Sequence, residues 1–187
     1  TVSITNERQK VELDITKLDK DDETPIEGVI FNLKTTKDIL LPGTEEVLIP
    51  SETIIEKATS DKKGKLVFNA DLPLSSDDEI YFEISEEEPL KGYYESDEVV
   101  EVNTKYQGQN KKVVKTKSTI YNEAIKNYIL VNKVDSLTME NIKSKDFTFD
   151  LCTDEECKNV VKTFNANQED GTAFIPVTYN IWYIKES

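Results

Sequence analysis

Three polar side chains stand where the pattern calls for apolar ones or for a strand end: Lys17, Glu86 and Asn122. In VELDITKLD, residues 11–19, Val11, Leu13 and Ile15 share one face of a period-two strand, and Lys17 falls on that face. In FEISEEEPLKGY, residues 82–93, Phe82 and Ile84 alternate with Glu83 and Ser85, and Glu86 returns to the apolar side. Asn122 closes the strand-like run STIYN. A carboxylate aimed into a core is costly unless it is neutral or paired. Burial can lower the pKa of a lysine by up to ~3–5 from its reference near ~10.4. A lysine and a glutamate in one dry pocket would titrate as a coupled pair with one proton between them. Taken singly, each residue also has a plainer reading. The lysine snorkels, the glutamate bends out to water, and the asparagine makes a turn.

The elements that must carry these groups read as strands. TVSITNE alternates up to Asn6, VELDITKLD follows, and the DKDDET cluster is a turn. PIEGVIFNL, residues 25–33, is the next strand. Residues 35–59 form a weakly patterned excursion, a hairpin or surface loop. A turn at 61–64 leads to a strand over 65–68 and then to FEISE. Residues 99–121 read as two strands joined at Gln107-Gly108-Gln109-Asn110, which puts the basic island from Lys105 to Lys117 at a hairpin tip. Helical periodicity is absent.

The order then repeats. TVSITNE followed by KVELDITKLD matches KSTIYNEA followed by KNYILVNKVD. Asn6 precedes Lys17, and Asn122 precedes Lys133, by 11 positions each. Phe31-Asn32-Leu33 recurs as Phe149-Asp150-Leu151, a glycine turn as Gly64 and Gly171, and Phe82-x-Ile84-x-Glu86 as Trp182-x-Ile184-x-Glu186. A period of about 116 residues is long for a solenoid and fits an array of tandem domains. The expected division is a complete unit over 11–126 and a second unit over 127–187, truncated before its final strands. Residues 1–10 are read as the last strand of a preceding unit, or as a strand donated to another molecule with Asn6 beside Lys133. The abrupt ends predict a piece of something longer.

Composition excludes more than it names. The 187 residues carry a formal net charge of −14, which disfavours nucleic acid and anionic membrane surfaces as partners. There is no histidine, which removes the usual general base and the commonest metal ligand. The six glycines are scattered singly, so no phosphate-cradling loop is present. No apolar run approaches the roughly 18–20 residues of a membrane span, and no signal peptide opens the chain. No cofactor, metal site or enzymatic turnover is expected.

The ordered set of motifs resembles the B-type domains of Gram-positive collagen adhesins and the related domains of pilin subunits. Lys17 and Asp19 match that family's first-strand K-x-D, and Phe31 and Leu33 its second strand. Phe82, Ile84, Glu86, Gly92 and Tyr93 match the motif Y-x-L-x-E-x-x-A-P-x-G-Y, and Asn122 the final-strand asparagine. Phe82 replaces the leading tyrosine, and Pro89 comes one position early. The resemblance implies an all-β fold of tandem immunoglobulin-like β-sandwich domains, on a cell-wall-anchored extracellular protein of stalk or pilus type. The partners it implies are neighbouring repeats of the same polypeptide. The rival is an adhesin module whose excursion at 35–59 binds a host protein or glycan.

The resemblance further implies a spontaneous isopeptide bond between Lys17 and Asn122, assisted by Glu86. Neutral Lys17 attacks the side-chain amide carbon of Asn122. Glu86, holding the shared proton, donates to the carbonyl oxygen and passes a proton to the departing ammonia. Fixed geometry replaces a bimolecular encounter, with effective molarities of roughly 10⁵–10⁸ M. In the second unit Lys133 and Glu186 hold the equivalent places, and Asn6 would be the partner for a preceding unit.

The remaining signals are weaker. Cys152 and Cys157 flank a polar turn, and disulfide and free thiols both stay open. The acidic cluster Asp19, Asp21 and Asp22 lacks the spacing of a calcium loop and reads as a solvated turn. Leu41-Pro42-Gly43-Thr44-Glu45 approaches a sortase signal but has glutamate for the needed glycine, and reads as a loop.

Overall fold

A computed structural model describes residues 9–41, 43–167 and 169–187. The chain divides into two compact units, Thr1–Glu123 and Ala124–Ser187. The first eight residues, and Asn6 with them, lie outside the described residues.

Among the described residues the first unit holds nine strands: β1 (Lys10–Asp19), β2 (Ile30–Thr35), β3 (Ile39–Leu40), β4 (Val47–Ile49), β5 (Ile54–Thr59), β6 (Lys65–Leu66), β7 (Phe82–Glu86), β8 (Val99–Val102) and β9 (Val113–Asn122). They form sheets in the orders β6-β1-β9 and β5-β2-β7-β8, with β3 and β4 as a separate hairpin. The core draws Ile15, Leu66 and Ile120 from one sheet and Phe31, Leu33, Phe82, Ile84 and Val102 from the other. Alternation explains the layering, because each strand gives its apolar positions to the shared core and its polar ones to water. The expected all-β sandwich is what forms.

The first and last strands of this unit are neighbours. β1 pairs with β9 in parallel over ten residues, from Lys10 opposite Val113 to Asp19 opposite Asn122. Parallel strands cannot be joined by a tight turn, and here nearly the whole unit lies between them.

Three expected elements differ. The strand expected from Pro25 starts at Ile30. Pro25 makes only an isolated bridge to Leu18, since proline brings no N–H to a ladder and Gly28, at φ 89°, turns the chain behind it. The excursion is partly sheet: β5 pairs with β2, and only β3 and β4 project as a hairpin. The strands over 99–121 are not a hairpin. β8 pairs with β7 and β9 with β1, so the basic segment between them crosses from one sheet to the other. Sequence adjacency suggested a hairpin; inward alternation in both strands is equally served by two facing sheets.

The second unit holds β10 (Asn127–Asn132), β11 (Thr148–Cys152), β12 (Val160–Asn165), β13 (Thr172–Val177) and β14 (Tyr183–Glu186), in the orders β10-β13 and β12-β11-β14. Its core is Phe149, Leu151, Ala166, Ala173 and Ile175. A disulfide joins Cys152 to Cys157 across the turn between β11 and β12.

Local geometry recurs between the units. The Lys17 N–H donates to the Gly64 carbonyl, as Lys133 does to Gly171, and the Ile26 N–H donates to the Lys17 carbonyl, as Ile142 does to Lys133. Glu23 and Met139 take the same left-handed conformation, at φ 59° and 60°. Gly64 is required twice over. It has φ 72°, and a Cβ there would lie 2.2 Å from the Lys17 carbonyl oxygen. Replacing it with alanine costs at least about 1–2 kcal/mol from the backbone conformation alone. Gly64→Ala should therefore lower the thermal midpoint by roughly 5–10 °C in calorimetry; an unchanged midpoint would contradict the close approach.

Candidate functional site

Alternation along β1 turns Ile15 and Lys17 into the core, and the Lys17 side chain is fully buried. On β9 the same alternation buries Val114, Ile120 and Asn122. The register sets Lys17 opposite Ile120 and Asp19 opposite Asn122, so lysine and asparagine are diagonal neighbours on one face, within reach of a long side chain. From the facing sheet, Glu86 at the end of β7 lies opposite Phe31 of β2, and its side chain is 3% exposed. Strand period and sheet order thus converge three side chains on one dry point.

There the groups close a triangle. Lys17 Nζ donates to Asn122 Oδ1 at 2.5 Å, and Asn122 Nδ2 donates to Glu86 Oε1 at 2.9 Å. Lys17 Nζ lies 3.3 Å from Glu86 Oε2, within ion-pair range, while that oxygen makes no aligned hydrogen bond. The Phe31 ring sits beneath the amine, 5.6 Å from Nζ to its centroid. Burial pushes the Lys17 pKa below 10.5, against the opposing pull of the Glu86 and Glu98 charges. A lowered pKa makes the neutral, nucleophilic amine easier to reach.

Glu86 differs from expectation in its aim. It was expected to donate to the amide carbonyl; instead it accepts from the amide nitrogen. The lysine, a pure donor when charged, claims Oδ1 and turns the NH₂ toward the carboxylate. The carboxyl therefore stands beside the group that would leave.

Two contacts at this site gave no sequence signal, although Tyr93 itself stands in the matched motif. Glu98 acts on Lys17 through its charge and accepts weakly from the Tyr121 N–H, yet it sits in an acidic stretch with no strand period. Tyr93 hydrogen-bonds Asp19, and burial together with that carboxylate raises its pKa above 10.0. Gly92, at φ 94°, lies in a turn closed by the Tyr93 N–H on the Leu90 carbonyl. The early Pro89 precedes that turn and leaves Glu86 in register.

In the second unit Lys133 Nζ meets Glu186 Oε2 at 2.5 Å, and the Phe147 ring lies 5.2 Å from the amine. Glu186 pairs opposite Phe149 as Glu86 does opposite Phe31. The lysine, however, rests on Phe147, two residues earlier. Its side chain is 29% exposed and that of Glu186 43%, so this pair is wet where the first is dry. The acidic turn satisfies itself: Asp19 accepts from the Asp21 N–H and Asp22 from Thr24.

A pH dependence follows for an unlinked chain. Asn122→Ala leaves Lys17 buried with its folded pKa below the unfolded 10.5. Between those two values the unfolded chain binds more protons, so stability rises with pH. Denaturant midpoints of Asn122→Ala should climb as pH approaches 10.5, and adding Lys17→Met should flatten that slope; equal slopes would remove the buried ammonium from the account.

Comparison with known proteins places this geometry in context. Residues 11–119, more than half of the chain, match the family model described as SpaA, prealbumin-like fold domain. Among solved structures, the Bacillus anthracis TIE protein is 21% identical at a TM-score of 0.62, over 96% of this chain and 28% of that one. A streptococcal ancillary pilin is 18% identical at 0.40, over 97% and 54%. The shaft pilin SpaA from Lactobacillus rhamnosus GG is 14% identical at 0.37, over 96% and 87%. The chain thus spans 28% of the first of these proteins and 54% of the second. No curated protein matches the sequence.

Proposed function

The chain belongs to the family of SpaA prealbumin-like fold domains, and from that premise we propose that it is a load-bearing spacer of a Gram-positive surface protein, of stalk or pilus-shaft type, locked by a self-made Lys17–Asn122 isopeptide bond. The observation that carries this reading is the buried triangle of amine, amide and carboxyl. No catalysis of an external substrate is involved: the protein reacts once with itself.

The step balances without a co-reactant. The ion pair's proton moves from Lys17 to Glu86, leaving a neutral amine. Nζ attacks Asn122 Cγ, and the C–Nδ2 bond breaks as the new C–Nζ bond forms. Two protons leave the attacking nitrogen in all, and one stays. Ammonia departs with one proton more than the amide nitrogen carried, and Glu86 ends as the neutral acid. Its position beside Nδ2 suits delivery to the leaving group, and the enclosed pocket keeps the charges unscreened.

Lys17 and Asn122 are 105 residues apart in sequence. Closing a loop of that size removes on the order of 4–5 kcal/mol of denatured-state entropy by analogy with a disulfide. The tandem arrangement, the wall-anchored location and the division at about 126 belong to the same reading, supported by the recurrent contacts of the lysine, glycine and isoleucine positions in both units.

A second reading has its own observation. Leu40, Leu41, Val47 and Leu48 on or beside the β3–β4 hairpin are exposed, an apolar surface that suits a ligand such as a host protein or glycan.

Intact mass decides the main reading. The folded chain should weigh about 17 Da, one ammonia, below its sequence mass, and Lys17→Ala, Glu86→Ala and Asn122→Ala should each restore the full mass. A full-mass wild-type chain would sink the cross-link. Under force, the linked unit should withhold roughly 350–380 Å of extension, its 105 residues at full stretch, relative to Asn122→Ala; equal extensions would show that the load bypasses the bond.

A further inference from the structure

Alternation alone leaves the register of β9 on β1 open. The inward positions of β9 include Val114, Thr116, Ile120 and Asn122, and the outward ones Val113, Lys115, Lys117 and Tyr121. A slip of one residue exchanges the two faces, but a slip of two returns every side chain to its own face. Such a slip carries Asn122 roughly 6.6 Å along β1, at about 3.3 Å per residue. It breaks the diagonal placement that brings the amide to both Lys17 and Glu86. The bonds of a parallel ladder are evenly spaced, so they can re-form after the slip. Something that occurs only once must hold the strands in step.

Gln9, the residue before β1, is such a feature. Its side chain is buried, with the residue only 7% exposed. Its Oε1 accepts from the Gln107 N–H at 3.1 Å, and its Nε2 donates to the Lys111 carbonyl at 2.6 Å. A weaker bond runs from Nε2 to the Gly108 carbonyl at 3.4 Å. All three partners belong to one turn, the last part of the crossover that leads from β8 into β9. Gly108 has φ 85° there, and Lys111 Nζ donates to Gln107 Oε1 across it. The Lys10 N–H continues the attachment to the Lys112 carbonyl. A carboxamide offers an acceptor and two donors, so one side chain holds both limbs of the turn. The ladder can re-form two residues out of step; this clasp cannot, because the turn has no second copy along β9.

We propose that Gln9 is a positioning residue for the cross-link: it fastens the start of β9 to the start of β1 and so sets the register in which Asn122 meets Lys17. It touches none of the reacting atoms and acts from the opposite end of the ten-residue ladder. Its work falls before the bond exists, since a formed Lys17–Asn122 link would hold the register by itself. The inference rests on the Lys17–Asn122 reading for its chemical consequence, and the register can be read without that chemistry.

Register is measured in the full chain carrying Asn122→Ala, where no bond can lock it. Glu12 and Lys115 lie opposite each other and form an exposed ion pair. Glu12→Cys with Lys115→Cys therefore reports the native register, and Glu12→Cys with Val113→Cys or Lys117→Cys reports a slip of two. Each pair is oxidised mildly and its disulfide mapped by peptide mass. The native pair should form in excess, and adding Gln9→Ala should cut that excess about tenfold, the worth of one to two hydrogen bonds. Leu33→Val, in the core of the other sheet, should lower the melting temperature and leave the excess unchanged. With Asn122 restored and no added cysteines, Gln9→Ala should slow the loss of ammonia, followed by intact mass during cell-free synthesis, about tenfold or more. An excess untouched by Gln9→Ala, or one that falls as far in Leu33→Val, would overturn the proposal. So would ammonia loss at the parent's rate. A parent chain that keeps its full mass would refute the Lys17–Asn122 bond instead, and the disulfide pattern would still decide whether Gln9 sets the register.

Discussion

The first unit turns on the removal of one ammonium from water. A buried lysine is among the costliest single choices a β-sandwich can make, and Lys17 is fully enclosed. The cost is offset only because two other strands deliver a carboxyl and an amide to the same point. That requirement reaches far beyond the three residues. It fixes the parallel register of β1 with β9, because a slip of one residue would turn Lys17 or Asn122 to the opposite face. It also fixes β7 opposite β2, so that Glu86 meets the lysine from the other sheet. The hydrophobic core could tolerate several sheet orders; the triangle tolerates one.

The second unit shows what the same dyad is without its third member. Lys133 and Glu186 are in contact, yet both are partly exposed, and β10 has an unoccupied edge among the described residues. The half-open pocket leaves both groups in contact with water. The contrast separates two contributions that unit 1 blends. Pairing the lysine with the glutamate needs only β10 and β14; in unit 1 the dry pair also has β9 laid against β1.

Much of this was legible in the sequence because strands write their faces with a period of two. Lys17 and Glu86 were conspicuous as polar residues in apolar phase, and the recurrence of Lys133 and Glu186 separated them from ordinary surface charges. What alternation cannot encode is which strand lies beside which. The segments at 99–102 and 113–122 both alternate inward, and nothing local says that they face each other across the core. Nor does a period tell which atom of an amide meets which partner. The aim of Glu86 at the amide nitrogen depends on the lysine having taken the oxygen first, a three-body matter invisible to pattern. Glu98 and the Tyr93–Asp19 contact escaped for the same reason, since both depend on where loops from different sheets come to rest.

The direction of the strands decides how such a unit would carry load. Because β1 and β9 are parallel, the chain enters at one end of the ladder, at Lys10, and leaves at the other, at Asn122. Pulling on both ends therefore shears the ladder along its length, loading its ten residue pairs together instead of peeling them one by one. Shear is the stronger mode, but hydrogen bonds exchanged with water still yield, each being worth only about 1 kcal/mol net. A covalent link near the exit changes which residues feel the force. Tension would run from Lys10 along β1 to Lys17, cross to Asn122, and leave the unit at once. The sheet β5-β2-β7-β8 and the core it covers would lie off that path, and their stability would matter for making the bond, not for bearing the load. The fold brings one amine, one amide and one carboxyl together in the dark of a core, and on the proposed cross-link the strands it needed would be relieved of the work of holding the ends.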